Sequence, residues 1–267
     1  MTRYYSVIII VVFLISCKEA PSKTAKSNDL PIEVEGVILS EFPTDFISVL
    51  EAHGSLKAWK KQRTLTFEIE KGEITETHTI DLKTRQDVVA ADKFSLGFDG
   101  KEIWLEDENN DYKGNAAVYH NLMFYFYAMP FVFADPGINY EVAEPLLYEG
   151  KEYPGIHISY DDGVGASSKD DYYLHYDPET FKMKWLGYTF TYGSNEKSKD
   201  VKWIHYNDWV EIEGLLLPKT ITWHDYEDRT IKGARDPLTF HKIGLAESPK
   251  IPTFYEKPEN AKVVLKP

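Results

Sequence analysis

Between residues 172 and 226, apolar and polar positions alternate in short runs separated by turn formers. Tyr172 to Tyr176 is rich in strand formers, Asp177-Pro178-Glu179-Thr180 is a turn cluster, and Phe181 to Leu186 alternates apolar and basic residues at period two. Together they predict a hairpin. Tyr188 to Tyr192 continues the pattern, a polar loop at Gly193 to Asp200 interrupts it, and Val201 to Tyr206 resumes it. Asn207 to Pro218 follows, and Thr220 to Tyr226 gives a fourth strand. Consecutive strands without helices between them imply an antiparallel meander, because parallel neighbours need a long crossover.

Upstream, Phe46, Val49, Leu50 and His53 fall at i, i+3, i+4 and i+7, which predicts a helix capped by Thr44 or Asp45 and ended by Gly54. Leu56 and Trp59 add a further turn. Thr64 to Glu70 and Ile74 to Leu82 read as a hairpin around Lys71-Gly72, with Leu65, Phe67 and Ile69 on one face and Thr64, Thr66, Glu68 and Glu70 on the other. Gln86 to Ala90, Lys93 to Phe98 and Lys101 to Leu105 extend the sheet, the last two joined by Asp99-Gly100, a type I′ signal.

Ala116 to Phe133 is almost continuously apolar. It is too long for one strand of an antiparallel sheet, so Asn115 to Met129 is expected as a helix buried against the concave face of the sheet, with Pro130 ending or bending it. Strands follow at Tyr140 to Tyr148 and Gly155 to Tyr160, and Leu238 to Leu245 reads as the last. The proline-rich tail from Pro249 has no periodicity. The fold class is therefore mainly β with helices (α+β).

Composition narrows the partners. With 43 acidic against 30 basic residues and a formal charge of -13, neither nucleic acid nor an anionic lipid surface is a natural partner. At 43% hydrophobic and 14% aromatic residues, one all-β body of ordinary size can bury a core.

The first residues read differently from the rest. Arg3 supplies a positive charge, Val7 to Ile15 is apolar, and Leu14-Ile15-Ser16-Cys17 ends the run on the single cysteine. The run falls short of the roughly 20 residues of a spanning helix. This stretch resembles a bacterial lipoprotein signal, which implies cleavage after residue 16 and lipidation of Cys17. Residues 17–35 then form a polar tether, and residues 36–267 a single body. Lys18 is not the aspartate of inner-membrane retention, so the resemblance implies the outer membrane, facing the periplasm or the cell surface.

Catalytic patterns are weak. His78, His157, His175, His205, His224 and His241 fall one per expected strand, without a metal-binding pair spacing. Asp107 to Gly114 starts like a calcium loop but has glycine at position eight and Val118 where the bidentate glutamate belongs, so a solvated turn is expected. Ser194-Asn195-Glu196-Lys197 fits S-x-x-K without its companion motifs. No cofactor, metal or catalytic residue is assigned. The aromatic residues Trp59, Phe67, Trp104, Phe124, Tyr127, Phe131, Trp185, Phe190 and Trp203 are candidates either for a ligand cavity between helix and sheet or for a packed core.

Ala52-His53-Gly54 before Trp59, the hairpin with Tyr173, Asp177-Pro178 and Thr180, and Gly214, Leu216 and Pro218 of a Gly-x-x-x-Pro edge strand carry a second resemblance. With the lipobox, the chain resembles the LolA-like superfamily, and more narrowly uncharacterised Bacteroidetes lipoproteins of that fold. The resemblance implies an incomplete antiparallel barrel covered by helices and able to hold acyl chains. The expected function is an anchored binder of a lipid or other hydrophobic molecule. The alternatives are an interaction module with a solid core, and a hydrolase whose site is assembled from distant strands.

Overall fold

A computed structural model describes residues 33–34, 37–164, 167–191, 196–227 and 229–265. Cys17, the leader and most of the tether lie outside the described residues, as do Tyr192 and Ser194. In chain order the strands are β1 (Glu33–Val34), β2 (Val37–Ile38), β3 (Thr64–Lys71), β4 (Ile74–Asp81), β5 (Asp87–Ala90), β6 (Ser95–Phe98), β7 (Ile103–Glu106), β8 (Ile138–Tyr148), β9 (Lys151–Tyr160), β10 (Tyr172–Tyr176), β11 (Met183–Tyr188), β12 (Lys202–Ile212), β13 (Leu215–Glu227), β14 (Thr230–Ala234), β15 (Leu238–Ala246) and β16 (Lys262–Val264). The helices are α1 (Thr44–Ala52), α2 (Leu56–Lys61), α3 (Ala116–Tyr119) and α4 (Leu122–Tyr127).

All strands from β3 onward join one antiparallel sheet. Its order is β16-β7-β6-β5-β4-β3-β15-β13-β12-β11-β10-β9-β8, with β14 paired to β13. The sheet is open, since β16 and β8 are its two ends. Apart from β16, which pairs with β7, each half is a run of sequence neighbours, and β15 joins them by pairing with β3 through Phe240 and Ile69 and with β13 through Thr220 and Thr239. The short β1–β2 pair falls within and just after the last residues expected as tether.

The alternation in β3 produces the expected result. Leu65, Phe67 and Ile69 are fully buried, and β3 pairs with β4 from Thr64–Asp81 to Lys71–Ile74. Burying side chains of this size contributes about 1.5–3 kcal/mol each. Phe67 and Phe240 both meet Tyr127, at ring distances of 4.7 and 4.5 Å, so α4 lies on the face where the two halves join. From the other half, Tyr206 Oη donates to the carbonyl of Phe126 at 2.8 Å, and Tyr172 meets Phe133 at 5.5 Å. The sheet thus wraps the apolar segment from both sides.

That segment departs from the single helix expected over Asn115 to Met129. It breaks at His120-Asn121 into α3 and α4, and a 3-10 turn at Phe131–Ala134 follows Pro130. The cause is that it serves two cores. Ala116 packs with Val89, Phe94 and Leu96, whereas Met123, Phe124, Phe126 and Tyr127 join the main cluster, and His120 is tied to Asp87 of β5 between them.

Other expectations shift locally. The helix at Thr44 is capped by Pro43 without a side-chain bond, so Thr44 is its first residue and not its cap. Asp99-Gly100 does not form a two-residue turn: Phe98 pairs with Ile103 across a four-residue loop, in which Asp99 Oδ1 accepts the N–H groups of Lys101 and Glu102. Thr189 makes one further backbone bond, its N–H to the Asp171 carbonyl, and the ladder then ends as the Asp170 carboxylate accepts from the hydroxyls of Thr189 and Thr191 and from Thr191 N–H. The strand read at Val201 to Tyr206 runs on as β12 to Ile212, with a register shift between Tyr206 and Asp208. Leu215 to Pro218 belongs to an internal strand, β13, although these four residues pair on one side only, with β12. Leu238 to Leu245 is not the last strand, since β16 in the tail pairs with β7; three residues are too few to show a period.

Candidate functional site

The wall of the site begins at the turn between β4 and β5. Asp81 accepts the N–H groups of Lys83 and Thr84 on one oxygen, and Arg63 Nε holds the same carboxylate at 2.7 and 2.8 Å. These donors keep the Asp81 carboxyl below its ordinary range although burial pushes it up. The turn delivers Arg85 in the left-handed region, at φ 62°. That conformation costs a non-glycine residue about 1–3 kcal/mol, and such outliers concentrate at functional sites. Arg85 Nη2 donates to Asp135 Oδ2 at 2.5 Å, its guanidinium lies 5.1 Å from the Phe124 ring centre, and Lys60 of α2 reaches Asp135 Oδ1 at 3.7 Å.

Lys60, Lys83, Arg85 and Asp135 border a cavity of about 580 Å³ between the apolar segment and the sheet. Leu122, Phe126, Met129 and Val132 give it an apolar floor, and Trp59 stacks on Phe131 at 4.8 Å at its edge. Tyr160, Tyr172 and Tyr188 also line it, brought side by side by register: Tyr172 pairs with Tyr188 across β10 and β11, and the Tyr160 and Tyr172 rings are 5.8 Å apart. Burial raises the phenol pKa of all three, and the Asp170 carboxylate adds to the rise at Tyr172. They stay neutral hydroxyls at physiological pH.

His120 also faces the cavity, with Nδ1 2.7 Å from Asp87 Oδ2. Burial pushes the Asp87 carboxyl up to about 6, against the opposing effect of His120. Among the described residues, no group of three or more His, Cys, Asp or Glu side chains is placed to hold a metal. A groove of about 700 Å³ bordered by Glu68, Glu70, Thr75 and Thr77 lies on the polar face of the β3–β4 hairpin, and its apolar lining among the described residues is Ala90 and Ala91.

Of the nine aromatic candidates, Trp59 and Phe190 line the cavity. Phe67, Phe124, Tyr127 and Phe131 are buried in the main core that supports it. Trp104 is buried opposite Gly97, where an added Cβ would come within 2.9 Å of its ring. Trp185 and Trp203 form a separate cluster with Leu146, in which His205 stacks on Trp185 at 4.1 Å. The solvated turn at Asp107 is present, its carboxylate accepting the N–H groups of Asp111 and Tyr112. The wall residues Arg85, Gln62, His120 and the three tyrosines are absent from the sequence-based candidates. Two signals pointed to some of them: His120-Asn121 is the polar pair inside the apolar run, and the three tyrosines sit at the ends of consecutive strands.

The sequence pattern of DUF6503, described as a family of unknown function, matches residues 5–212, which include every wall residue named above. No curated protein matches the chain. Among solved structures, a LolA superfamily protein from Nitrosomonas europaea aligns at a TM-score of 0.45 and 11% identity, covering 76% of this chain and 94% of its own. A DUF1329 family protein from Desulfovibrio piger aligns at 0.44 and 7%, covering 79% and 95%. At TM-scores below 0.5, these likenesses carry neither a ligand nor an activity over to this chain.

Proposed function

The chain belongs to DUF6503, a family of unknown function, and from that premise we propose that it is a lipid-anchored envelope protein that binds a hydrophobic molecule in the cavity beside α4. The observation that carries the binding reading is the cavity itself. At about 580 Å³ it falls within the roughly 300–1,000 Å³ of ligand pockets, and it joins an apolar floor to a few polar groups, as such pockets do. An interaction module with a solid core would lack it. The anchoring part of the reading rests on Leu14-Ile15-Ser16-Cys17.

A fluorescent hydrophobic dye tests the binding. Added to the full-length chain in nanodiscs, it gives saturable enhancement above that of empty nanodiscs, and long-chain acyl compounds displace it. Leu122 is half-buried in the floor, so Leu122→Trp fills the space and removes the saturable component while the circular dichroism spectrum stays β-rich. Equal enhancement from the wild-type protein and this variant would place the dye elsewhere and remove the support for the reading.

A further inference from the structure

We propose that the cavity takes a chain ending in an anionic oxygen group, a carboxylate or a phosphate, with this head against Arg85 and Lys60 and the apolar chain along Leu122, Phe126 and Met129. This rests on the ligand-binding reading above and adds the chemistry of the head.

Arg85 carries the inference. One arm of its guanidinium is taken by Asp135, but Nη1 is buried and has no hydrogen-bond partner among the described residues. A guanidinium presents five donors in a rigid fork suited to carboxylate and phosphate oxygens, and a buried donor left unpaired is costly. Lys60 approaches the same Asp135 carboxylate, so two cations share one anion at this wall. The chain carries 13 more acidic than basic residues, so a local cationic excess runs against its composition. Gln62, only 5% exposed, lines the same cavity, and its Oε1 lacks a partner among the described residues. It would accept from a hydroxyl next to the head or from a protonated acid.

The carboxylates that border or approach the cavity do not outweigh this arrangement. Lys60, Lys83 and Arg85 stand against Asp135 and Asp170 in the lining, while Asp170 Oδ1 is held by Thr189 and Thr191 and Asp87 is bound to His120. The backbone gives the same indication. Nothing in the turn's own hydrogen bonds requires arginine at the left-handed position, where asparagine or glycine is less strained. What arginine adds there is the bond to Asp135, the contact with the Phe124 ring and its charge at the cavity wall. A neutral head, an alcohol or a glyceride, can also accept from Nη1, but only as a neutral acceptor, and that bond is weaker than the charge-assisted one made by a carboxylate or phosphate.

Photoreactive long-chain probes of equal tail length, carrying a carboxylate, a phosphate or a hydroxyl head, test this on the full-length chain in phosphatidylcholine nanodiscs. Labelling is read by mass spectrometry of peptides from residues 116–134. The acidic probes should half-saturate at concentrations at least about tenfold below the hydroxyl probe, the ratio expected for one charge-assisted hydrogen bond. Comparing carboxylate with phosphate then tells a fatty-acid head from a phospholipid one. Arg85→Asn keeps a residue that tolerates the left-handed backbone, and should abolish the preference, bringing the acidic and hydroxyl probes to half-saturation at similar concentrations. Lys60→Gln should reduce it and serves as the second variant should Arg85→Asn fail to fold. Equal labelling by all three heads overturns the assignment of the head and leaves the binding reading standing. Labelling of this segment by none of them overturns both.

Discussion

Asp177 Oδ1 accepts from the N–H groups of Glu179 and Thr180 and from the Thr180 hydroxyl, while Oδ2 takes Lys151 Nζ at 2.6 Å. One carboxylate thus closes the β10–β11 turn and ties it to β9. The Lys151 ammonium first, then the N–H donors, hold this carboxyl down to about 2, against the effect of its burial. An aspartate in an unfolded chain titrates near about 4, so the contribution is complete above that pH and is lost as pH falls toward about 2. Asp177→Ala should therefore cost about 1–3 kcal/mol at neutral pH, with the difference from wild type shrinking below about pH 4. Denaturant melts at several pH values check this; a difference that stays constant down to pH 2 would contradict it. The Asp-Pro-x-Thr turn was legible because its partners are local. Arg85 and Gln62 were not, because what makes them part of a site is the cavity they border, and that cavity is formed by segments far apart in the sequence.

Among the elements, α1 shows how two separate sequence patches meet. The His53 carbonyl accepts from Leu216 N–H at 3.0 Å, and Gly54, at φ 101°, lies so close to the turn before β13 that an added Cβ would fall 2.2 Å from the Gly214 carbonyl oxygen. His53 itself is fully buried against Trp209 at 4.7 Å, and burial lowers its pKa to about 4, so it packs as a neutral ring. Gly54→Ala should destabilise by more than about 2 kcal/mol, combining backbone strain with a clash against main chain. Gly72→Ala also sits at positive φ but meets nothing within 4 Å, and should cost about 1 kcal/mol. Thermal melts of the two variants separate the effects; equal losses would remove the close approach as a cause. Periodicity located α1, the β3–β4 hairpin and the meander, since each is a local repeat with one buried face. It missed the break between α3 and α4, because a segment apolar on nearly all sides carries no phase to show where it changes partners.

At the scale of the molecule, the two half-sheets were legible and their joining was not. β15 pairs with β3 about 170 residues earlier, and long-range pairing leaves no trace in a window the length of a strand. That joining brings the β4–β5 turn and the tyrosines of β9, β10 and β11 to one cavity. The proposed anchoring belongs to this scale too. Each buried methylene holds a lipidated chain to a bilayer by about 0.8 kcal/mol, so acyl chains on Cys17 amount to a lasting attachment. Cys17→Ala should release the protein from membranes in a detergent-free wash while the β-rich spectrum persists. A variant that stays bound through high salt would mean that residues 1–16 hold the chain in the membrane themselves.

The central claim, a hydrophobic molecule held beside α4, is tested most directly by native mass spectrometry of the full-length chain released from nanodiscs in the gas phase. The expected spectrum shows the protein carrying one amphiphile of defined mass beyond the acyl groups proposed on Cys17, with that species lost in Leu122→Trp. A wild-type protein that flies without any added mass, and gains none after incubation with long-chain fatty acids, would contradict it.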